Sequence, residues 1–145
     1  MWVIVHTVSG AALGVAMGDR LGQPLWVVVV AALAAHSLLD LVPHWDYTGH
    51  RLRPLWAGLD VAASSVAFLA GWRILGLETA ALVAAAVSAA PDLDVLDAVL
   101  PYSRSLRVFP SHWKRFPHGQ ATQRLGLTVQ AAVVSLSLVV ILALR

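Results

Sequence analysis

Five apolar stretches take up most of this 145-residue chain, at about residues 2–18, 25–42, 55–72, 79–100 and 126–144. A helix crossing a bilayer needs about 20 apolar residues, within a range of about 17–25. Backbone N–H and C=O groups in hydrocarbon must be satisfied within the segment, so helix is the form such stretches can take. Charged residues make up 12% of the chain and hydrophobic residues 59%. A soluble domain carries about 25% charged residues, so this chain has too little polar surface to cover itself. The prediction is an all-α, polytopic membrane helical bundle of about five transmembrane helices, with one polar loop over residues 101–125. Residues 1–145 are expected to form a single integral membrane domain. Gly22, Pro24, Pro43, Gly49, Pro54, Gly76, Pro101, Pro110 and Pro117 punctuate the connections. The opening MWVIVHTVSG has no basic region before its apolar run, so the first segment is expected to be retained rather than cleaved.

The fourth stretch is less regular than the others. Thr79 to Ala90 is apolar apart from Ser88, and then Pro91-Asp92-Leu93-Asp94 interrupts it. Either the helix continues through Pro91 with aspartates at membrane depth, or it stops early and the chain lines a polar cavity. Gly14-x-x-x-Gly18 and Ala84-x-x-x-Ser88 are small-xxx-small pairs that permit close helix approach. Trp2, Trp26, Trp45, Trp56, Trp72 and Trp113 fall at segment ends or in flanking loops, as an interfacial aromatic belt would.

With five spans, Arg51, Arg53, Arg104, Arg107, Lys114, Arg115 and Arg124 share one side, against Arg20, Arg73 and Arg145 on the other. The positive-inside rule makes the richer side cytoplasmic, in the inner membrane. All six histidines and six of the eight acidic residues fall toward that same side. His6, His36 and Asp60 sit roughly 6–9 Å below the face at 1.5 Å per helical residue. Ionisable groups near hydrocarbon are costly, so a shared depth points to a shared task.

Within His36-Ser-Leu-Leu-Asp40-Leu-Val-Pro-His44-Trp-Asp46, His36 and Asp40 are one helical turn apart on one face. Such a pair suits either a bridging metal ion or a buried His–Asp hydrogen bond. His44 would extend the row, although Pro43 ends or bends the helix there. Asp92 and Asp94 cannot face the same way on an ideal helix, but on a kinked backbone they can reach one metal or bridge two. His6 is a lone imidazole in an apolar helix, at the depth of His36. Asp60 needs a partner and is read as supporting the ligands, as is His112. His118 lies between Pro117 and Gly119, on a backbone able to turn back over a cavity. Arg104, Arg107, Lys114 and Arg115 form a cationic rim suited to an anionic head group or phosphate, or to anionic lipids in general. The absence of cysteine removes disulfides, thiolate metal sites and thiol nucleophiles.

His6, Pro91-Asp92-Leu93-Asp94, Pro117-His118-Gly119 and His36-Ser37-Leu38-Leu39-Asp40 resemble motif islands of the YdjM-like family of membrane-bound metal-dependent hydrolases. That resemblance implies metal ligation by His6, His36, Asp40, Asp92, Asp94 and His118.

Together these readings predict a membrane-embedded metal-dependent hydrolase acting on a lipid or lipid-linked phosphate ester at one membrane face. Zinc is the expected ion, one or two per chain, with Mn or Mg as alternatives, and His44 or Asp46 is expected to shuttle protons. A divalent-cation or proton transporter is the alternative of another class, though such sites usually sit at the midplane. A scaffold with a closed structural metal site is a third. Nucleic acid is not an expected partner, since no soluble domain displays the basic residues. Self-association into a homo-oligomer is left open.

Overall fold

The computed structural model describes residues 1–47, 49–96 and 107–145. Among them the architecture is helical, without strands. Helix α1 spans Val3–Gly14 and continues as a π-helical turn over Val15–Arg20. α2 is Leu25–Leu41, α3 is Arg53–Arg73 and α4 is Thr79–Ala89. A 3₁₀ turn over Ala90–Asp92 leads into the short α5, Leu93–Leu96, and α6 is Gln123–Leu144. α3 and α6 are long and apolar enough to cross a membrane, and α2 and α4 are shorter apolar helices.

The open question about the fourth stretch has an answer in this geometry. α4 stops at Ala89 and the chain tightens into a 3₁₀ turn carrying Pro91 and Asp92, both buried. The cause is local. Pro91 has no N–H to give and its ring crowds the preceding turn, so the regular ladder ends before it. Asp97 and Arg104 lie outside the described residues.

α1 packs most closely on α4, through the small residues picked out in the sequence. A methyl group on Gly10 would sit 2.5 Å from the Ala84 carbonyl oxygen, and one on Gly14 would sit 2.5 Å from both the Ala80 oxygen and Ala81 Cα. The seam is staggered: Gly14 and Gly18 meet Ala80 and Ala81, and Ala84 and Ser88 meet Gly10. Around this seam the core is made of small side chains, with Val8, Ala11, Ala12, Val15, Ala81 and Ala85 buried. Large apolar side chains point outward instead: Trp26, Val30, Leu38, Val66, Leu136 and Val139 are each at least 60% exposed. This distribution is inverted relative to a water-soluble fold, in which such area is buried.

The helices alternate in direction, so the start of α1, the end of α2, the start of α3 and the end of α4 lie at one end. Three of the six tryptophans pack together there, while Trp26 and Trp72 lie exposed at the other end. The rings of Trp2, Trp45 and Trp56 lie 5.8–6.3 Å apart, centroid to centroid. Gln130 of α6 ties this end together, accepting from the Trp2 N–H and donating to the Trp45 carbonyl, each at 3.1 Å. At the opposite end the Arg20 guanidinium donates to the Arg145 carbonyl at 3.0 Å, and Arg73 stacks 4.2 Å over Trp72.

Candidate metal centre

His36 and Asp40 lie a turn apart near the end of α2, and both are fully buried. His36 Nδ1 is 2.7 Å from the Ser88 carbonyl oxygen. A carbonyl oxygen can only accept, so Nδ1 carries the hydrogen and, in the neutral ring, Nε2 keeps a free lone pair. That lone pair faces Asp40 Oδ2 at 3.2 Å. Neither atom has a hydrogen-bond partner. Two buried lone pairs held this close repel unless a cation lies between them.

Other side chains converge on the same place. His6 Nε2, from α1, is 3.4 Å from Asp40 Oδ1 and 3.8 Å from Asp92 Oδ2. The His6 and His36 rings stack with centroids 3.9 Å apart. His112, on a 3₁₀ turn over Pro110–His112, places Nε2 3.5 Å from Asp92 Oδ1 and 3.8 Å from Asp40 Oδ2. Both ring nitrogens of His6 and the Oδ2 of Asp92 are buried without a hydrogen-bond partner. The Met1 amino nitrogen donates to Asp40 Oδ1, which also faces His6, while Oδ2 faces His36 and His112.

These separations have a simple reading. Nitrogen and oxygen ligands about 2.0–2.2 Å from a tetrahedral ion lie roughly 3.3–3.6 Å from one another. Three of the spacings, 3.2–3.5 Å, are close to the edges of such a polyhedron, and two, at 3.8 Å, are longer. His6 with His36 and Asp92, His36 with Asp40 and His112, and Asp40 with His44 and His118 are groups that could hold a metal ion.

His112 and Asp94 sit differently from what their sequence positions suggest. His112, expected as a supporting residue, has Nε2 inside the cluster. Asp94, expected as a ligand, instead accepts from His112 Nδ1 and from the backbone N–H groups of Val108 and Phe109. It fixes the ring and the loop behind it, the role an outer carboxylate plays in carboxylate–histidine–metal arrangements. Burial alone would lower the His112 pKa, but hydrogen bonds and charge from Asp92 and Asp94 outweigh it, so the value rises. Arg107 adds a further tie, donating to the His112 carbonyl at 2.9 Å.

Asp60 stands apart from the coordinating atoms. It accepts from the Val3 N–H at 2.8 Å, the Ile4 N–H at 2.9 Å and the Tyr47 hydroxyl at 3.1 Å. α1 has no side-chain cap of its own, so a carboxylate from α3 caps it, complementing the positive helix end and fixing the level of His6. Burial, with the nearby Asp60 charge, raises the Tyr47 pKa and keeps its hydroxyl proton in place. Asp60→Ala is expected to cost about 1–3 kcal/mol of stability, from two orphaned N–H groups, while bound metal per chain is retained. Thermal unfolding beside metal analysis checks this; full stability with metal lost would make Asp60 a ligand.

His44 is buried, whereas His118 is exposed, and the two rings are 6.3 Å apart, centroid to centroid. Burial lowers the pKa of both, which favours the neutral, lone-pair-bearing imidazole. Asp46 is half-buried next to Trp45 and falls outside the three groups above. Lys114 and Arg115 are exposed on the same loop. Beside Asp92 an apolar groove of about 420 Å³ runs between α1, α3 and α4, lined by Val3, Val61, Phe68, Ala86 and Ala89. No protein-family model, curated protein or solved structure matches this chain.

Proposed function

We propose that this protein is a membrane-embedded, metal-dependent hydrolase acting on a lipid or lipid-linked phosphate ester at the cytoplasmic face of the inner membrane. The observation that carries the reading is the convergence of imidazole nitrogens and carboxylate oxygens at the edge lengths of a coordination polyhedron, with several of those atoms buried and unpartnered. In this reading His6, His36, Asp40, Asp92 and His112 hold the ion. Zinc suits a nitrogen and oxygen set without thiolates. A bound divalent ion would lower the pKa of a coordinated water toward about 7 and polarise a phosphoryl oxygen.

The chain's own residues supply the remaining functions. Lys114 and Arg115 extend from the loop beside the cluster, where a phosphate would arrive, and Arg107 holds that loop to His112. The groove beside Asp92 offers an acyl chain an apolar path to the same carboxylate. The outward-facing leucines, valines and tryptophans support a lipid surrounding. Placement of the cluster at one end of the bundle favours a hydrolase over a transport path, which needs access from both sides. Kinship with the YdjM-like hydrolases is part of this proposal and rests on the motif islands around His6, His36, Asp92 and His118.

Detergent-purified full-length protein is expected to release phosphate or alcohol from generic phosphomonoesters and phosphodiesters. A chelator should abolish this, and Zn²⁺ should restore it. Purified protein that takes up no divalent metal would overturn the reading.

A further inference from the structure

Sharing Asp40 with the five residues assigned to the first ion is the third group, Asp40, His44 and His118, whose ligand atoms lie within 4.8 Å of one another. We propose that it holds a second divalent cation, with Asp40 shared between the two ions. The inference rests on the first group being a metal centre.

Three features carry it. First, one tetrahedral ion takes four ligands, and His6, His36, Asp40, Asp92 and His112 already exceed that number by one without His44 and His118. Second, His44 is 2% exposed and its Nδ1 lies 2.8 Å from the Val42 carbonyl oxygen. Its Nδ1 therefore donates, leaving Nε2 with a lone pair, the same arrangement that His36 makes with Ser88. Third, His118 is held opposite His44 by the backbone. The Gly119 N–H donates to the Asp40 carbonyl at 2.9 Å, the His44 N–H to the Gly119 carbonyl at 2.6 Å, and the Ala121 N–H to the His44 carbonyl at 2.9 Å. These bonds pin residues 118–121 onto the end of α2, with a parallel bridge between His44 and Gln120. Gly119 permits the approach, since a Cβ there would run into the Leu41 and Val42 carbonyls.

The two positions differ in access. The ligands of the first are all buried and meet the apolar groove at Asp92, whereas His118 is exposed and leaves the second open to the loop side. Paired ions about 3.5–4 Å apart serve phosphoesterases by gripping both the attacking and the leaving oxygen. On this reading His44 is a ligand rather than a proton shuttle. A phosphate ester bridging two cations is the substrate class that best fits.

The test is the metal content of the full-length protein in detergent, loaded with Zn²⁺ and measured by mass spectrometry. Wild type is expected to bind about two ions per chain, and the His44→Ala/His118→Ala double variant about one. Because His118 is exposed, His118→Ala alone should fold normally and weaken the second ion at least about tenfold, with His118→Asp recovering part of the loss. A wild type with one ion, or a double variant keeping two, would overturn the second site and leave the first intact. A wild type with none would remove both.

Discussion

If the proposed centre holds a divalent ion, Asp92→Asn is expected to weaken its binding sharply while leaving the metal-free protein close to wild type in stability. The two halves of that expectation have different origins. Asp92 contributes carboxylate oxygens 3.5 Å from His112 Nε2 and 3.8 Å from His6 Nε2. Loss of an outer partner of a metal ligand costs about 10–100-fold in affinity, so loss of a direct ligand should cost at least about 100-fold. Without metal, however, Asp92 is a buried carboxylate near a second one, Asp40, and its Oδ2 lacks any hydrogen-bond donor. Removing that charge relieves a burial cost but also gives up the interaction with His112 that raises the pKa of that ring, so the two effects oppose each other. Saturating Zn²⁺ should therefore raise the unfolding temperature of wild type but not of Asp92→Asn. At 100 times the dissociation constant the expected gain is about 2.7 kcal/mol. Equal metal content and equal thermal shifts in the two proteins would remove Asp92 from the ligand set.

The second large effect concerns the seam between α1 and α4. Gly14→Leu is expected to separate these helices, because even the Cβ would lie 2.5 Å from backbone atoms of both Ala80 and Ala81. Backbone cannot give way as a flexible side chain can. Overpacking of this kind costs about 1–3 kcal/mol for added methylenes alone, and a whole leucine should exceed that. His6 rides on α1, whereas Asp92 follows α4, so the same variant should also lose metal. Gly58→Leu provides the contrast, since a Cβ there meets nothing within 4 Å and Gly58 is exposed on α3. Unfolding temperature and metal content should both fall for the first variant and hold for the second. A Gly14→Leu protein as stable as wild type would mean that α1 and α4 do not pack through this seam.

Much of the helical layout was legible in the sequence, because long apolar runs between glycine and proline leave a chain few alternatives. His36 and Asp40 were legible for a similar reason: an i, i+4 pair on a helix shares a face whatever surrounds it. Residues whose placement depends on loops and on other helices were not. The placement of Asp94 behind His112 turns on how residues 107–112 fold back, which no periodicity encodes. Asp60 has the depth of a ligand when counted from the start of its apolar stretch, but α3 begins earlier, at Arg53, and the carboxylate meets the end of α1 instead. The mutual packing of Trp2, Trp45 and Trp56 likewise needed the helices in place. The shared position of Asp40 between two groups was equally hidden, because His44 and His118 meet it through backbone bonds rather than through a motif.

The anchoring of His36 and His44 through main-chain oxygens has an evolutionary consequence. The oxygens of Ser88 and Val42 hold these rings whichever side chains those positions carry. Natural variation can therefore change these side chains, within small residues at Ser88 where Gly10 packs, while the imidazoles stay fixed. A comparison of distant relatives would find isolated, widely spaced histidines and aspartates in a background of interchangeable small and aliphatic residues, so ancestry would fade from such a chain sooner than its chemistry.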